Sequence, residues 1–525
     1  MARLGIDFGT TNTVVVCSDR GRYPVVPHAA ETAIGRVVRE VFPSVLAYEH
    51  ATGRLLYGTD AERCMARPGA EAQYTVIRSI KRLLRSYIGG GRFGLEVCPG
   101  GLDTAAVLRG FVEAVRESVL RSGLFPADEP LQAVITWPAN ANGAQRHVTR
   151  ASFKDAGFEV IGTLNEPTAA AIEFADRIVH GNRTAARKLS SSVAVFDFGG
   201  GTFDASLVKI EGPEFSVIAA AGIEELGGDD LDSALARLFA EQMEVDFDTL
   251  PPLPRSLFLR HACQQKESLS SGSVRTLTLP PSDVGMRGTP CTIDVAAYFE
   301  QLTGLIAPAV ETLWSLVTGE AACAAGIGPE TLDAVYLVGG SSQLPLVGKM
   351  LGARFPGARL VMTDKPFTAT AMGAAIQSTE TVTLHDILSR HFGVLRLADH
   401  GTREYFAPIF NAGTRLPPRN AAQVEVRVRY SPRHNIGHLR YLECAGVDST
   451  GRPAIGVRAW SDVFFPYDPS IPIEQRLSSG DITAREDLAD QDVCETYSCD
   501  SDGVITVRLS RQGDGQTRAY EIFRE

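Results

Sequence analysis

Two stretches of the chain share one pattern. "GIDFGTTNTVVV" at 5–16 and "VFDFGGGTFDASLV" at 195–208 each run from an apolar strand into Asp-Phe-Gly, through small residues, and back into an apolar strand. Glycine lets backbone N–H groups approach a ligand closely and tolerates positive φ, so such a hairpin can wrap an anion in a nest of amides. Thr10, Thr11 and Thr202 add hydroxyl donors. Asp7 and Asp197, at the strand ends, are misplaced for touching phosphate directly. They suit a hydrated Mg²⁺ standing between them and the phosphates, because that ion keeps several of its waters. One glycine-rich turn alone is most often a structural hairpin. Two, each with an acid at the same place, imply a duplicated lobe and a cleft gripping a polyphosphate from both sides.

A third stretch, "LVGGSSQLP" at 337–345, sets two glycines and two serines after a strand. Alone it would read as a strand-to-helix turn needing small residues; third in this order, it suits close approach of a nucleoside. Around these sites strands and helices alternate: helices are expected over "TAAVLRGFVEAVRESVLRSG", "NGAQRHVTRASFKDAGF", "EPTAAAIEFADRIV" and "KPFTATAMGAAIQ", and a buried strand over "LQAVITWPA". That mixture indicates an α/β architecture. The polar segment 180–192 reads as a surface loop before the second lobe. After about residue 380 the texture changes to short alternating runs such as "QVEVRVRYS" and "GVITVRLSR", the pattern of an antiparallel sheet.

At 525 residues the chain exceeds one simple core, and about two to four domains are expected. A net charge of −11 without any Lys/Arg block argues against nucleic acid and anionic membrane as partners. Nine cysteines follow no repeat, and only Cys494 and Cys499 lie close together, with no second pair or His cluster to complete a zinc set. Free thiols in a reducing cytosol are the expectation. The first strand begins by Leu4, leaving no room for a cleavable leader. No apolar run is read as approaching the roughly 20 residues that span a bilayer. A cytoplasmic location follows as an expectation.

With "NEPTAAAIEFA" at 165–175, "PANANGAQR" at 138–146 and "ELGGDDLD" at 225–232 added to the three glycine sites, the chain resembles the 70-kDa heat-shock chaperones of DnaK type, in the wider actin and sugar-kinase superfamily, over roughly residues 3–393. The resemblance implies an actin-like nucleotide-binding domain at 1–378 with two ribonuclease H-like lobes. The first takes 1–185 and 360–378, and the second 186–359. A linker at 379–388 and a small antiparallel β-sandwich domain at 389–525, without the family's helical lid, would follow.

The same resemblance implies ATP/ADP and Mg²⁺ as cofactors. Gly9, Thr10, Thr11 and Asn12 would face Gly199, Gly200, Gly201 and Thr202 across the phosphates, near Gly228. Asp7, Glu166 and Asp197 would surround the hydrated Mg²⁺ and the attacking water, with Asp204 and Thr202 assisting. Gly339, Gly340, Ser341, Ser342 and Gln343 would border the nucleoside, with Lys266 and Ser270 on the other side. Pro138 and Arg146 match the family's switch and relay positions. Asp386 ends "VTLHD", the linker that reports nucleotide state, here carrying Thr383 and His385 in place of apolar residues.

Three departures shape the expected activity. "GTDAERC" places Glu62 where the family's catalytic lysine is expected, which would raise the hydrolysis barrier unless a cation such as Arg63 or Lys81 reaches the γ-phosphate position from elsewhere. The glutamate and arginine expected at the adenosine fall on Cys263 and Glu267. The last 130 residues match only faintly. Two functions are therefore carried: an ATP-hydrolysing chaperone acting on extended polypeptide, with a J-domain co-chaperone and a nucleotide exchange factor as partners, or a nucleotide-binding scaffold with little or no ATPase activity serving one partner. Tyr430, Trp460, Phe464, Phe465 and Tyr467 are candidates for an exposed groove or for the sandwich core.

Overall fold

The first glycine turn closes a β hairpin. Ala2–Phe8 (β1) pairs antiparallel with Asn12–Cys17 (β2), which pairs in turn with Phe42–Pro43 (β3). On its other edge β1 pairs parallel with Leu131–Trp137 (β4), and β4 with Glu159–Asn165 (β5). The second glycine turn does the same. Ser190–Phe198 (β6), Phe203–Glu211 (β7) and Glu214–Ile223 (β8) form an antiparallel meander, while Ala334–Val338 (β9) and Arg359–Met362 (β10) continue parallel from β6. The orders β3-β2-β1-β4-β5 and β8-β7-β6-β9-β10 coincide, so the chain is built on one lobe used twice. The computed structural model describes the chain apart from residues 1, 33–34, 66–68, 87–91, 96–97, 127, 180–183, 185–188, 399–402, 420, 461, 489 and 522–525. The expected loop at 180–192 lies mostly outside the described residues, and Ser190–Ser192 already belong to β6.

Helices form where the apolar spacing and caps require them. Thr104–Arg121 (α1) starts at Asp103, whose carboxylate accepts from the Ala105 and Ala106 amides, and it buries Val107, Leu108, Phe111, Val112, Val115 and Val119 on one stripe. Gly143–Asp155 (α2) begins with a capping box between Asn142 and Gln145. Glu166–Val179 (α3) is followed in the second lobe by Gly228–Gln242 (α4), Pro252–Ser268 (α5), Val295–Thr318 (α6) and Pro345–Arg354 (α7), and the chain then returns to the first lobe through Ala369–Ser378 (α8). That return comes after β10, later than the expected boundary at 360, because Arg359–Met362 pairs parallel with β9 and so completes that edge of the second sheet.

The expectation about apolar runs also needs correction. The α6 region is long and apolar enough to cross a membrane by length and composition. Its Tyr298, Leu302, Ile306, Leu313 and Val317 lie instead in the core of the second lobe. All nine cysteines are free thiols.

Small residues bring backbones together at the back of the two lobes. A Cβ on Gly373 of α8 would lie 1.7 Å from the Ala169 carbonyl oxygen of α3, and one on Gly5 of β1 would lie 2.1 Å from the Ala375 amide nitrogen of α8. Ala169, Ala170, Ala171 and Phe174 of α3 share a single apolar cluster with Val193, Val195, Val208 and Tyr336 of the second lobe. The seam between the lobes is therefore dry.

After α8, Thr383–His385 (β11) adds to the edge of the second sheet, parallel to β8, and the His385 ring contacts Glu214 at 2.8 Å. The remainder is a sandwich of two antiparallel sheets. One contains His391–Ala398 (β12), Arg403–Phe410 (β13) and Ile436–Cys444 (β15); the other contains Val424–Tyr430 (β14), Val493–Cys499 (β16), Ile505–Arg511 (β17) and Thr517–Glu521 (β18). Trp460, Phe465 and Tyr467 are core residues of this sandwich. Tyr430 and Phe464 are half-buried, and the Tyr430 hydroxyl donates to the buried Glu495 at 2.7 Å.

The sandwich docks on the first lobe through polar contacts. Arg146 of α2 donates to the Ser389 hydroxyl at 3.1 Å, and Asn165 donates to both Asp386 carboxylate oxygens at 3.1 Å. Arg390 reaches Asn140 at 3.0 Å and Glu443 at 3.5 Å, while Arg150 reaches Asp502 at 3.0 Å. Ala144 of α2 enters the sandwich core cluster.

Two predictions follow from this packing. Gly373→Ala forces α3 and α8 apart and lowers stability by about 3 kcal/mol, measured by chemical denaturation of the full chain. Burial pushes the Asp386 carboxyl from 3.8 up to about 6, and burial raises Glu443 as well. A raised carboxyl favours docking fully below its unfolded value, and that contribution is lost as pH rises through about 6. Hydrogen exchange in β11, corrected for intrinsic rate, should be better protected at pH 5 than at pH 7, and Asp386→Asn should shrink the difference. An unchanged difference refutes the assignment.

Candidate functional site

The two glycine turns meet across a cleft of about 470 Å³. A Cβ on Gly200 would fall 2.2 Å from the Thr11 hydroxyl oxygen, and one on Gly201 would fall 2.5 Å from the Thr10 methyl. Only glycine permits that approach. The second turn is pinned from behind: the Gly228 and Asp229 amides of α4 donate to the carbonyls of Gly199 and Gly200 at 3.0 and 2.8 Å, and the Ser341 hydroxyl donates to Gly199 at 2.9 Å. The first is pinned by Ser44, which donates to the Gly9 carbonyl at 2.8 Å. Asp229 also reaches across to Arg82 of the first lobe at 2.9 Å.

Four carboxylates gather at the floor: Asp7 ends β1, Asp197 lies near the end of β6, Asp204 opens β7, and Glu166 starts α3. One ammonium answers them. Lys81 is buried and donates to Glu166. Burial alone would lower its pKa, yet the Glu166 and Asp7 charges reverse this and leave it raised. Burial and the Glu166 charge push Asp7 and Asp204 up to about 7, and burial followed by Glu166, Asp204 and Asp7 raises Asp197 well above its ordinary value. The cluster lacks positive charge. Among the described residues no group of three His, Cys, Asp or Glu converges to chelate an ion directly. The deficit and the spacing together fit a cation that keeps its water shell, held through Asp7, Asp197 and Glu166.

Lys81 overturns the expectation about Glu62. Glu62 lies outside the cleft on the helix Gly58–Met65, 40 % exposed and paired with Arg39 at 2.5 Å; Arg63 pairs with Asp60. The residue that supplies the cation sits in the short 3₁₀ turn Ile80–Ser86. It is aimed by Ser79, which holds a positive φ of 70° with its amide on the Ser44 carbonyl at 3.1 Å. A non-glycine residue in that region persists only where its surroundings enforce it.

The cleft wall carries Asp7, Gly9, Thr10, Thr11, Asn12, Glu166, Asp197, Gly199, Gly200, Thr202, Gly228, Lys266, Ser270, Gly339, Gly340, Ser341 and Gln343. Three expected residues depart from it. Gly201 packs on Thr10 and Gly227. Ser342 turns its hydroxyl to the Val338 carbonyl at 2.5 Å and builds the turn. Asp204 faces a smaller hollow of about 40 Å³ behind Lys81, shared with Trp137, Pro138, Asn140, Gln145 and Glu224. Lys266 lines the cleft, but its ammonium is held by Asp232 at 2.8 Å and the Gly228 carbonyl at 2.7 Å.

The smaller hollow ties the site to the sandwich. Asn140 and Glu224 on its wall receive Arg390 at 3.0 Å and Arg458 at 3.3 Å. Pro138 also lines it. Arg146 and Asp386 lie at the docked interface itself.

Comparison with known proteins agrees with this architecture. Residues 125–395 match the family model described as Hsp70 protein. The chain is 32% identical over 390 residues to the chaperone protein HscA homolog of Tolumonas auensis, covering 71% of this chain and 57% of that one. It is 33% identical over 391 residues to the HscA homolog of Burkholderia multivorans, covering 71% and 58%. With the chaperone protein DnaK of Thermotoga neapolitana the identity is 29% over 525 residues, covering 93% of this chain and 82% of that one. The chain thus spans less than three fifths of the length of the HscA homologs it matches. Its twin sheets are the actin-like, ribonuclease H-like lobes of an ATP-binding fold followed by a β-sandwich, and the match over more than half of the chain, from just before β4 through the second lobe into the first sandwich strand, places this chain in the Hsp70 family.

Proposed function

We propose that the chain is an ATP-dependent chaperone whose cleft binds and hydrolyses ATP with Mg²⁺ to control the hold of its sandwich on an extended polypeptide. The observation that carries this reading is Lys81, buried among Asp7, Glu166, Asp197 and Asp204 between the two glycine hairpins. Phosphoryl transfer asks mainly for positioning and charge stabilisation, and this chain supplies both. The amides and hydroxyls of Thr10, Thr11 and Thr202 hold the phosphates in place. Lys81 offers its ammonium to charge building on the γ-phosphate oxygens. Asp7, Asp197 and Glu166 would hold Mg²⁺ through its waters, and the ion when bound would neutralise phosphate charge. Asp204, which lines the smaller hollow with Lys81, assists by adding its charge to those that hold the ammonium in place.

Hydrolysis reaches the sandwich through the hollow behind Lys81 and through β11. Pro138, Arg146 and Asp386 transmit it, since they stand between the catalytic floor and the docked domain. The relatives' names, chaperone protein HscA homolog and chaperone protein DnaK, support a polypeptide client, and a J-domain co-chaperone and nucleotide exchange factor are the partners this reading implies. Glu62 stands away from the cleft, which favours hydrolysis over a nucleotide-binding scaffold with little or no ATPase activity, while Thr383 and His385 in the linker remain on the scaffold's side.

Single-turnover hydrolysis of Mg·ATP by the full chain tests the proposal. Lys81→Ala is expected to slow the step by about 10²–10³-fold, with Glu166→Ala also impaired and Glu62→Lys unchanged. A wild-type rate equal to that of Glu166→Ala overturns hydrolysis. Addition of an extended peptide should raise turnover, and ATP should speed release of a fluorescent peptide.

A further inference from the structure

At the nucleoside end of the cleft the chemistry departs from that of the floor. Among the described residues lining it, the only cation is Lys266, already committed to Asp232 and the Gly228 carbonyl. On the same wall α5 presents Cys263 and Glu267, and the turn after it presents Ser270. The Cys263 thiol contacts the Glu267 carboxylate at 3.7 Å, so beyond the committed Lys266 this wall offers no guanidinium or ammonium on which a base could lie.

The opposite wall holds a large apolar side chain. Phe367, in the turn before α8, is 55% exposed, one of the most exposed large hydrophobic residues of the chain. It lines the cleft beside Pro366 and Thr370. Its ring edge lies 3.2 Å from where a Cβ on Gly340 would stand, so the ring rests against a backbone that carries no side chain. No aromatic ring packs on it among the described residues.

We propose that Phe367 is the platform on which the nucleobase stacks. The inference rests on the reading of the cleft as a nucleoside triphosphate site and adds the group that grips the base. Every base has a π-face, and an aromatic side chain offers stacking without hydrogen-bond partners. The phosphates would be fixed by the twin hairpins and the base by this ring, across Gly340.

The test is calorimetry on the full chain with Mg²⁺, using ADP and, as a base-free probe, inorganic tripolyphosphate. Phe367→Ala is expected to weaken ADP binding about tenfold and to leave tripolyphosphate binding unchanged, with Phe367→Trp restoring ADP affinity. The indole emission of Phe367→Trp should respond to ADP and not to tripolyphosphate. Equal ADP affinity in Phe367→Ala and wild type, or parallel loss of both probes, overturns the platform. Wild type that binds tripolyphosphate but gains nothing from the nucleoside overturns the platform alone. Wild type that binds neither probe overturns the triphosphate cleft and the platform with it.

Discussion

The structure depends on an unbalanced charge. Four acidic side chains converge on one buried ammonium, and the arrangement is held together only because two glycine hairpins and two small-residue helices press their backbones into contact around it. Isolated buried carboxylates would neutralise themselves by taking up protons, which is the direction in which Asp7, Asp197 and Asp204 move. A site poised in this way gains most from a ligand that brings positive charge along with phosphate. The raised carboxyls and the need for an added cation have one electrostatic origin.

Rigidity is distributed to match. The lobes share a dry cluster at their backs, where Ala169–Ala171 of α3 pack among Val193, Val195 and Tyr336. At the front they meet through exposed polar contacts such as Arg82–Asp229. A dry seam opposite a wet one is the mechanical layout of a hinge. The sandwich attaches differently, through buried arginines and carboxylates such as Arg390 and Glu443, whose separation leaves each charge to be taken back up by water.

What could be read before the structure was whatever leaves a local signature. The hairpins at Asp7 and Asp197 announce themselves because glycine and aspartate are needed at fixed places in a short turn. The helix from Thr104 shows in its apolar spacing, while its Asp103 cap and the Asn142–Gln145 capping box of the helix from Gly143 appear only in the fold. Lys81 is legible only as one candidate cation beside Arg63: it sits in a 3₁₀ turn without periodicity, and what singles it out is neighbours as distant in sequence as Glu166 and Asp204. Glu62 misled for the converse reason, since a local resemblance in "GTDAERC" carried no information about which way the helix Gly58–Met65 faces. The parallel strand β10 was set in the wrong lobe because a lone four-residue run does not show which sheet it completes. Ser342 was taken for a wall residue, although its hydroxyl is spent on the turn.

The Arg82–Asp229 contact has a kinetic consequence. Both partners are roughly one third to one half exposed, so the bridge contributes about 1 kcal/mol or less and weakens as salt screens it. It therefore works as a leaky latch over the mouth, not a lock. With an exposed ion pair at the front and hydrocarbon packing at the back, added salt loosens the first contact and leaves the second untouched.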